Sequence, residues 1–135
     1  DAFRERRFVA HGIEEPCIID GAPDLIVQLL DKLVENAVDF SARDAQIEIE
    51  LVPQGAWLTL AVVNEGAPLS VAVHARLFDS MFEFRRDADG EPHFGLGLYI
   101  VRLVADFHGG EVLAQSLTDR RAVRIGVRLP RPTGD

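Results

Sequence analysis

A short glycine turn, Gly95-Leu96-Gly97-Leu98, stands at the start of a run of residues with helical spacing. The first N–H groups of a helix have no partner inside it, and the positive end of the helix dipole lies at the same place. Since Gly95 and Gly97 carry no side chains, an anion could come close to these N–H groups. The turn therefore indicates a phosphate site, although glycines that open a helix often serve tight packing instead.

Two better-known phosphate motifs do not fit this turn. A dinucleotide-binding fold needs a buried strand before the glycines and a third small residue after them. Here residues 84–93 are mainly polar and the third position is Ile100. A P-loop is excluded, because the chain has no G-x-x-x-x-G-K-[ST] sequence.

Asn36 is a second candidate for binding chemistry. Helical spacing places it on the border between the apolar Leu33 and Phe40 and the charged Lys32 and Asp39. Asparagine is a mediocre helix former, and a half-buried amide needs partners for both its oxygen and its nitrogen. A bond to a neighbouring loop is the simplest interpretation. The neighbouring ring and charges, together with the glycine turn, favour a binding role instead.

Other reactive groups form no recognisable site. The single cysteine, Cys17, excludes an internal disulfide and makes a cysteine-based metal site improbable. The serines have no nearby histidine that would activate them as nucleophiles. The histidines are too scattered for metal-ligand spacing, and we interpret all four as structural or surface residues: His11, His74, His93 and His108.

The composition limits the class of partner. The chain has 135 residues, which suffices for one sizeable core, so we predict one domain over residues 1–135. A net charge of −8 argues against a broad nucleic-acid surface, and Lys32 is the only lysine. No apolar run is long enough to span a membrane or to act as a signal peptide. We therefore expect a cytoplasmic domain without membrane contact, whose parent protein could be anchored in the inner membrane.

The elements that position these residues follow from the hydrophobic spacing. Pro23 suits the first position of a helix, and apolar residues recur at helical spacing from there to Phe40. Apolar and polar residues alternate over 46–52 and 57–63, on either side of the turn Pro53-Gln54-Gly55. This pattern predicts a β-hairpin.

The remaining segments complete the predicted fold. Ser70 can cap a short second helix, and a third helix runs from Leu96 to the stop at His108-Gly109-Gly110. Short apolar runs predict further strands at 7–13, 16–20, 111–116 and 122–129. We predict an α/β (α+β) two-layer sandwich, in which three helices cover one face of a mixed, mainly antiparallel sheet of about five strands.

Four segments of the chain resemble, in order and spacing, the N, G1, F and G2 boxes of bacterial two-component sensor histidine kinases. They are Leu33-Val34-Glu35-Asn36-Ala37, Val63-Asn64-Glu65-Gly66, Leu77-Phe78-Asp79 and Gly95-Leu96-Gly97-Leu98-Tyr99-Ile100-Val101. One box would be weak evidence, whereas four in order cover nearly the whole chain. The chain is thus similar to the catalytic and ATP-binding domain of these kinases, which share a superfamily and a two-layer fold with gyrase and MutL.

The resemblance implies a role for each matching position around the base. Asn36 would hold Mg²⁺, for which an amide oxygen is a reasonable ligand. Phe40 would pack on the adenine, and Asn64 would meet the adenine amino group. Gly66 would let the backbone approach the base.

The resemblance also implies where the phosphates lie. Gly95, Leu96, Gly97 and Leu98 would cradle them, and residues 85–94, with Arg85, would form the ATP lid. We take Lys32, Glu35 and Asn36 as the candidate catalytic residues. In the family the γ-phosphate of ATP passes to a histidine on a separate dimerisation helix, and a response regulator acts downstream.

Several positions depart from the family pattern. Position 32 is usually asparagine in these kinases and a glutamate base in the hydrolytic relatives, but here it is Lys32. A cation cannot serve as that base, which argues against a hydrolase. Asp39 stands where a phosphate-binding lysine is frequent, and we hypothesise that Lys32 supplies the missing charge. Asn64 replaces a more frequent aspartate, and Pro68 replaces a glycine.

We therefore predict the ATP-binding catalytic domain of a sensor histidine kinase, with ATP and Mg²⁺ as cofactors. Its partners would be the dimerisation and phosphotransfer module of the same parent protein and a response regulator. The isolated fragment is not expected to phosphorylate itself. The departures leave one alternative open, a degenerate nucleotide-binding or interaction module with little kinase activity.

Overall fold

A five-stranded sheet and three helices make up the part of the chain that the computed structural model describes, residues 7–12, 16–42, 44–79 and 97–132. In chain order the elements are β1 (Phe8–His11), α1 (Pro23–Phe40), β2 (Ile47–Gln54), β3 (Trp57–Glu65), α2 (Val71–Arg76), α3 (Gly97–Phe107), β4 (Glu111–Leu117) and β5 (Ala122–Pro130). The strand order is β1-β2-β3-β5-β4. β1 is parallel to β2, and the other neighbours are antiparallel. The predicted fold class is confirmed.

Alternation along the strands decides which face of the sheet the helices cover. Val62 of β3 pairs with Ile49 of β2 and with Ile125 of β5, so a row of apolar side chains crosses the three central strands. The side-chain period of two places every second residue of each strand in the same layer. That layer contains the buried strand residues Ile47, Leu58, Val62, Val123, Ile125, Val127 and Leu129.

The helix layer packs its apolar stripes onto this face. Leu29, Leu33 and Ala37 of α1 are at most 1% exposed and lie three or four residues apart, which is the spacing of one helix face. The buried residues of α3 follow the same rule and join one core: Leu98, Val101, Val104 and Ala105. Two helices with apolar stripes thus share a single core with the sheet.

His108 connects the end of α3 to the beginning of α1. Its Nδ1 donates to Val104 O at 2.7 Å, and its Nε2 accepts from Ala22 N at 3.0 Å. The second bond satisfies an N–H at the start of α1, where no side chain caps the helix. α3 ends at Phe107, and Gly109 in the turn that follows has a φ of 74°, which suits glycine. The predicted glycine stop and the structural role of His108 agree with this arrangement.

Charged side chains occupy the opposite face of the sheet. Arg124 of β5 reaches over β3 and binds Glu50 of β2 through two N–H···O bonds, of 2.9 and 3.2 Å. Arg120 pairs with Glu48, and this hydrogen bond raises the pKa of Arg120, so its guanidinium stays charged. The ionic character of this face leaves the other face to the helices.

Three sequence predictions need correction or refinement. Residues 16–20 were predicted as a strand but have no regular structure, and Ile18 is 69% exposed. The hairpin turn lies at Gly55, where φ is 62°, because β2 continues through Pro53 to Gln54. Asn36 is buried, with 9% exposure, rather than half-buried. Within the described residues, no helix is long and apolar enough to cross a membrane.

Candidate functional site

A pocket of about 250 Å³ opens between α1, the end of β3 and the segment that leads into α2. Most of its lining is apolar, and two asparagines contribute amide side chains to it. The lining residues are Asn36, Phe40, Asn64, Gly66, Ala67, Pro68, Leu69, Ser70, Val73, Val123 and Ile125. An apolar cleft with a few convergent polar groups is the usual form of a site for a small organic ligand. Four of the residues predicted to bind nucleotide therefore lie together: Asn36, Phe40, Asn64 and Gly66.

The strand period brings Asn64 into the pocket. It pairs with Ile47 and Val123, at the end of the row that faces the helices, and it is only 6% exposed. Its Nδ2 donates to Glu65 O at 3.1 Å, which fixes the orientation of the amide. The amide oxygen then remains as an acceptor for a donor on the ligand.

Asn36 and Phe40 reach the pocket from one face of α1, because they are four residues apart. Asn36 Oδ1 is buried and has no hydrogen-bond partner among the described residues. A buried polar atom without a partner costs about 1–3 kcal/mol. An unpaired oxygen at this position suits a ligand that supplies the missing contact.

The same oxygen is the group that would hold a metal ion. No group of three or more His, Cys, Asp or Glu side chains lies together in the described part of the chain. Mg²⁺ in nucleotide sites is often held by one or two protein oxygens together with the phosphates. The donor set at Asn36 therefore fits Mg²⁺ that arrives with a nucleotide, and not a metal site built from protein ligands alone.

The outer wall of the pocket, residues 66–73, is bonded to β4 and to the turn residue that precedes β5. Gly66 N donates to Arg121 O at 3.2 Å, and Leu69 N donates to Ser116 Oγ at 2.9 Å. Ser70 caps α2 by accepting from a backbone N–H at 3.1 Å, as predicted. The first two bonds attach the wall to the sheet.

The structure describes two residues of the predicted phosphate turn, Gly97 and Leu98. Gly97 is the first residue of α3, and a Cβ built on it would lie 3.9 Å from the Cδ of Lys32. Lys32 also forms an ion pair with Glu35, with 3.5 Å between Nζ and Oε1. Leu98 is fully buried and serves the core. Arg85, Gly95, Leu96 and the predicted lid, residues 85–94, lie outside the described residues.

Several residues of the pocket were not predicted from sequence. Val123 and Ile125 form its floor, and Leu69 and Val73 form part of its wall. Alternation along β5 identifies the first two as facing the helices, but only the fold places them under Asn64. Ser116, which holds the wall, gave no signal in the sequence.

The comparison with protein families agrees with this geometry. Residues 21–133 match the family described as histidine kinase-, DNA gyrase B-, and HSP90-like ATPases. The chain belongs to this ATPase family. The match includes all elements that line the pocket, so the predicted family and the use of nucleotide are confirmed for this ATPase domain.

Among curated proteins, this ATPase domain is similar to sensor kinases. It is 28% identical over 118 residues to the probable sensor kinase SilS of Salmonella typhimurium, which covers 86% of the chain and 23% of SilS. It is 29% identical over 129 residues to the sensor protein DltS of Streptococcus agalactiae serotype III, covering 96% of the chain and 32% of DltS. The chain thus spans about a quarter to a third of these relatives.

Solved structures show the same fold. The nucleotide-free catalytic domain of the histidine kinase ThkA has a TM-score of 0.79 at 23% identity, covering 94% of this chain and 80% of that one. Full-length ShkA in complex with AMPPNP has a TM-score of 0.73 at 20% identity, covering 96% of this chain and 26% of that one. The ATPase domain therefore has the architecture of a histidine kinase catalytic domain.

Proposed function

We propose that this domain is the ATP-binding catalytic part of a sensor histidine kinase. It would hold ATP so that the γ-phosphate is transferred to a histidine on a separate dimerisation helix. The observation that carries the proposal is the convergence of Asn36 and Asn64 on one apolar pocket. Lys32, which lies on α1 with Asn36, is next to the start of α3.

The base end of the nucleotide would lie in the pocket. Asn64 accepts from the adenine amino group, while its own Nδ2 stays bonded to Glu65 O. Phe40 packs on the ring. Gly66 leaves room for the base beside Asn64, because a Cβ there would lie in van der Waals contact with the Asn64 amide, 3.5 Å from its Nδ2.

The phosphate end would lie between Asn36 and the start of α3. Asn36 Oδ1 would hold Mg²⁺, which neutralises charge on the phosphates when it is bound. Gly95, Leu96, Gly97 and Leu98 would present backbone N–H groups, and Arg85 would belong to the lid. Lys32 and Glu35 lie on α1 with Asn36. Catalysis would rest on positioning and on electrostatic stabilisation, because little other chemistry is required in phosphoryl transfer.

The wider assignment is also a proposal. The domain would occupy residues 1–135 and act in the cytoplasm, together with the dimerisation and phosphotransfer module of its parent protein. A response regulator would then receive the phosphoryl group. ThkA has been crystallised with the response regulator protein TrrA, and this complex supports the assignment by analogy.

Calorimetric titration tests the nucleotide site directly. ADP and a nonhydrolysable ATP analogue are titrated into the domain with and without Mg²⁺. We expect binding that strengthens with Mg²⁺ in the wild type and that is lost in Asn36→Ala. Asn64→Ala should weaken binding in both conditions, because its contact is to the base.

A matched control shows whether the effect depends on the position of the amide side chain in the pocket. Gln54 is an exposed amide at the end of β2, at the hairpin turn. Gln54→Ala should bind nucleotide like the wild type. A wild-type domain that binds no nucleotide at millimolar concentration would refute the proposal and favour the alternative of a degenerate interaction module.

A further inference from the structure

Lys32 lies beside the first residue of α3. Its Cδ is 3.9 Å from the position that a Cβ on Gly97 would take, and its side chain is 29% exposed. The apolar stem is therefore partly covered, as is usual for a lysine that keeps its ammonium group in water. The charge of Lys32 is thus held near the N-terminus of α3.

The spacing on α1 links this charge to the pocket. Phe40, Asn36 and Lys32 are four residues apart, so they follow one another along one face of the helix. Each step rises about 6 Å, so Lys32 lies about 12 Å from Phe40 along the axis. A ligand that begins at Phe40 and runs along α1 passes Asn36 before it reaches Lys32 and Gly97.

The groups around Lys32 favour an anion at this point. The first N–H groups of a helix lack an intrahelical partner and carry partial positive charge, which applies to the first turn of α3. Asn36 Oδ1, buried and unpaired among the described residues, independently indicates a ligand on this face. The ion pair of Lys32 with Glu35 has a Nζ–Oε1 distance of 3.5 Å, and the Glu35 side chain is 49% exposed. Such an exposed pair is weak, so a phosphate can replace the carboxylate.

We infer that Lys32 binds the terminal phosphate of the nucleotide and makes the site prefer a triphosphate over a diphosphate. The inference rests on the proposed function, because it requires the base to occupy the pocket. Lys32 exchanges Glu35 for the phosphate when ATP binds. An ammonium group has three donors and no acceptor, so this residue binds charge and takes no proton from the attacking group.

Variants at position 32 test the preference. Lys32→Met keeps the length of the apolar stem beside Gly97 and removes the charge, whereas Lys32→Arg keeps the charge. Arg131→Met removes one positive charge at the hairpin end of the sheet, where Arg131 contacts Gly55 O. It controls for the change in net charge.

We expect Lys32→Met to weaken the nonhydrolysable ATP analogue about tenfold or more, the effect of losing a charge-assisted hydrogen bond. Its affinity for ADP should change little. Lys32→Arg and Arg131→Met should keep the preference for the triphosphate, and Glu35→Gln should strengthen it. If the wild type binds nucleotide and Lys32→Met weakens both ligands equally or neither, the inference is wrong although the proposed function stands. A wild type that binds neither nucleotide overturns both.

The single lysine allows a second measurement that needs no catalytic activity. An acyl phosphate of ATP carries a reactive acyl group on the terminal phosphate. The Lys32 amine attacks the acyl carbon, an amide forms, the bond from that carbon to the phosphate oxygen breaks, and ATP leaves while the amine proton passes to the buffer. Mass spectrometry should find the acyl group on the Lys32 peptide, and excess ATP should prevent it. Labelling that spares Lys32 or is insensitive to ATP contradicts the inference.

Discussion

Replacing Asn36 by leucine tests whether this side chain serves a ligand rather than the fold. The two side chains have the same number of heavy atoms and branch at the same carbon. In the structure Asn36 is 9% exposed, and its Oδ1 has no partner among the described residues. Asn36→Leu therefore removes an unpaired oxygen from the core without leaving a cavity. We expect the nucleotide-free domain to become more stable.

The size of the effect follows from the burial. An unpaired buried polar atom costs about 1–3 kcal/mol, and leucine adds a few tenths of a kcal/mol through its higher helix propensity. For a domain of this length, about 1 kcal/mol shifts the melting temperature by roughly 3–4 °C. Asn36→Leu should thus melt about 4–10 °C above the wild type.

Thermal denaturation with and without the Mg·ATP analogue measures both the stability of the free domain and its stabilisation by the ligand. At about 100 times the dissociation constant, a ligand stabilises its protein by about 2.7 kcal/mol, so the wild type should gain roughly 10 °C and Asn36→Leu nothing. Gln28→Leu, on the exposed side of α1, should change either melting temperature little. If Asn36→Leu melts below the wild type without nucleotide, the amide makes a structural bond and the reasoning fails.

Four further changes test contacts of the fold and of the pocket wall. His108→Phe keeps an aromatic ring but removes the acceptor of Ala22 N, so the unfolding free energy in urea should fall by about 1–3 kcal/mol; an unchanged midpoint would show that the bond contributes nothing. Gly126→Ala should cost about 3 kcal/mol or more, because its Cβ would lie 2.2 Å from a backbone oxygen of β3. Gly55→Ala should cost only about 1–2 kcal/mol for its φ of 62°, since nothing lies within 4 Å, and equal losses would contradict this difference. Ser116→Ala removes the acceptor of the Leu69 N–H at 2.9 Å, so the Leu69 amide should exchange hydrogen faster. An unchanged exchange rate would contradict this role of Ser116.

The long periodic elements could be predicted from sequence because many residues agree on one period. α1 begins at Pro23 and ends at Phe40 as the spacing predicts, and the hairpin of β2 and β3 follows the alternation. The segment 16–20 was predicted wrongly because three consecutive apolar residues do not define a period, and no described strand pairs with it. A short apolar run becomes a strand only if a neighbouring strand has an unpaired edge, and the local sequence does not show whether one does.

The site could be predicted only in part, since each of its residues is placed by a different element. The boxes identified Asn36, Asn64 and Gly66, and the structure brings them to one pocket. The parallel pairing of β1 with β2 depends on a crossover through α1 and has no local signature. The bond from Ser116 to the pocket wall joins residues 47 positions apart, so no local pattern could have indicated it.

The site departs from the rules that govern the rest of the domain. Elsewhere in the described part of the chain the buried positions are apolar, and charged residues such as Arg124 and Glu50 pair on the open face of the sheet. Asn36 is buried in a helix with an unpaired oxygen, and the only lysine of a chain with net charge −8 lies one turn away. A fold selected for stability alone would carry neither feature at these positions. Both are explained if one polyphosphate ligand arrives with the Mg²⁺ that Asn36 Oδ1 would hold and with the negative charge that Lys32 exchanges for Glu35.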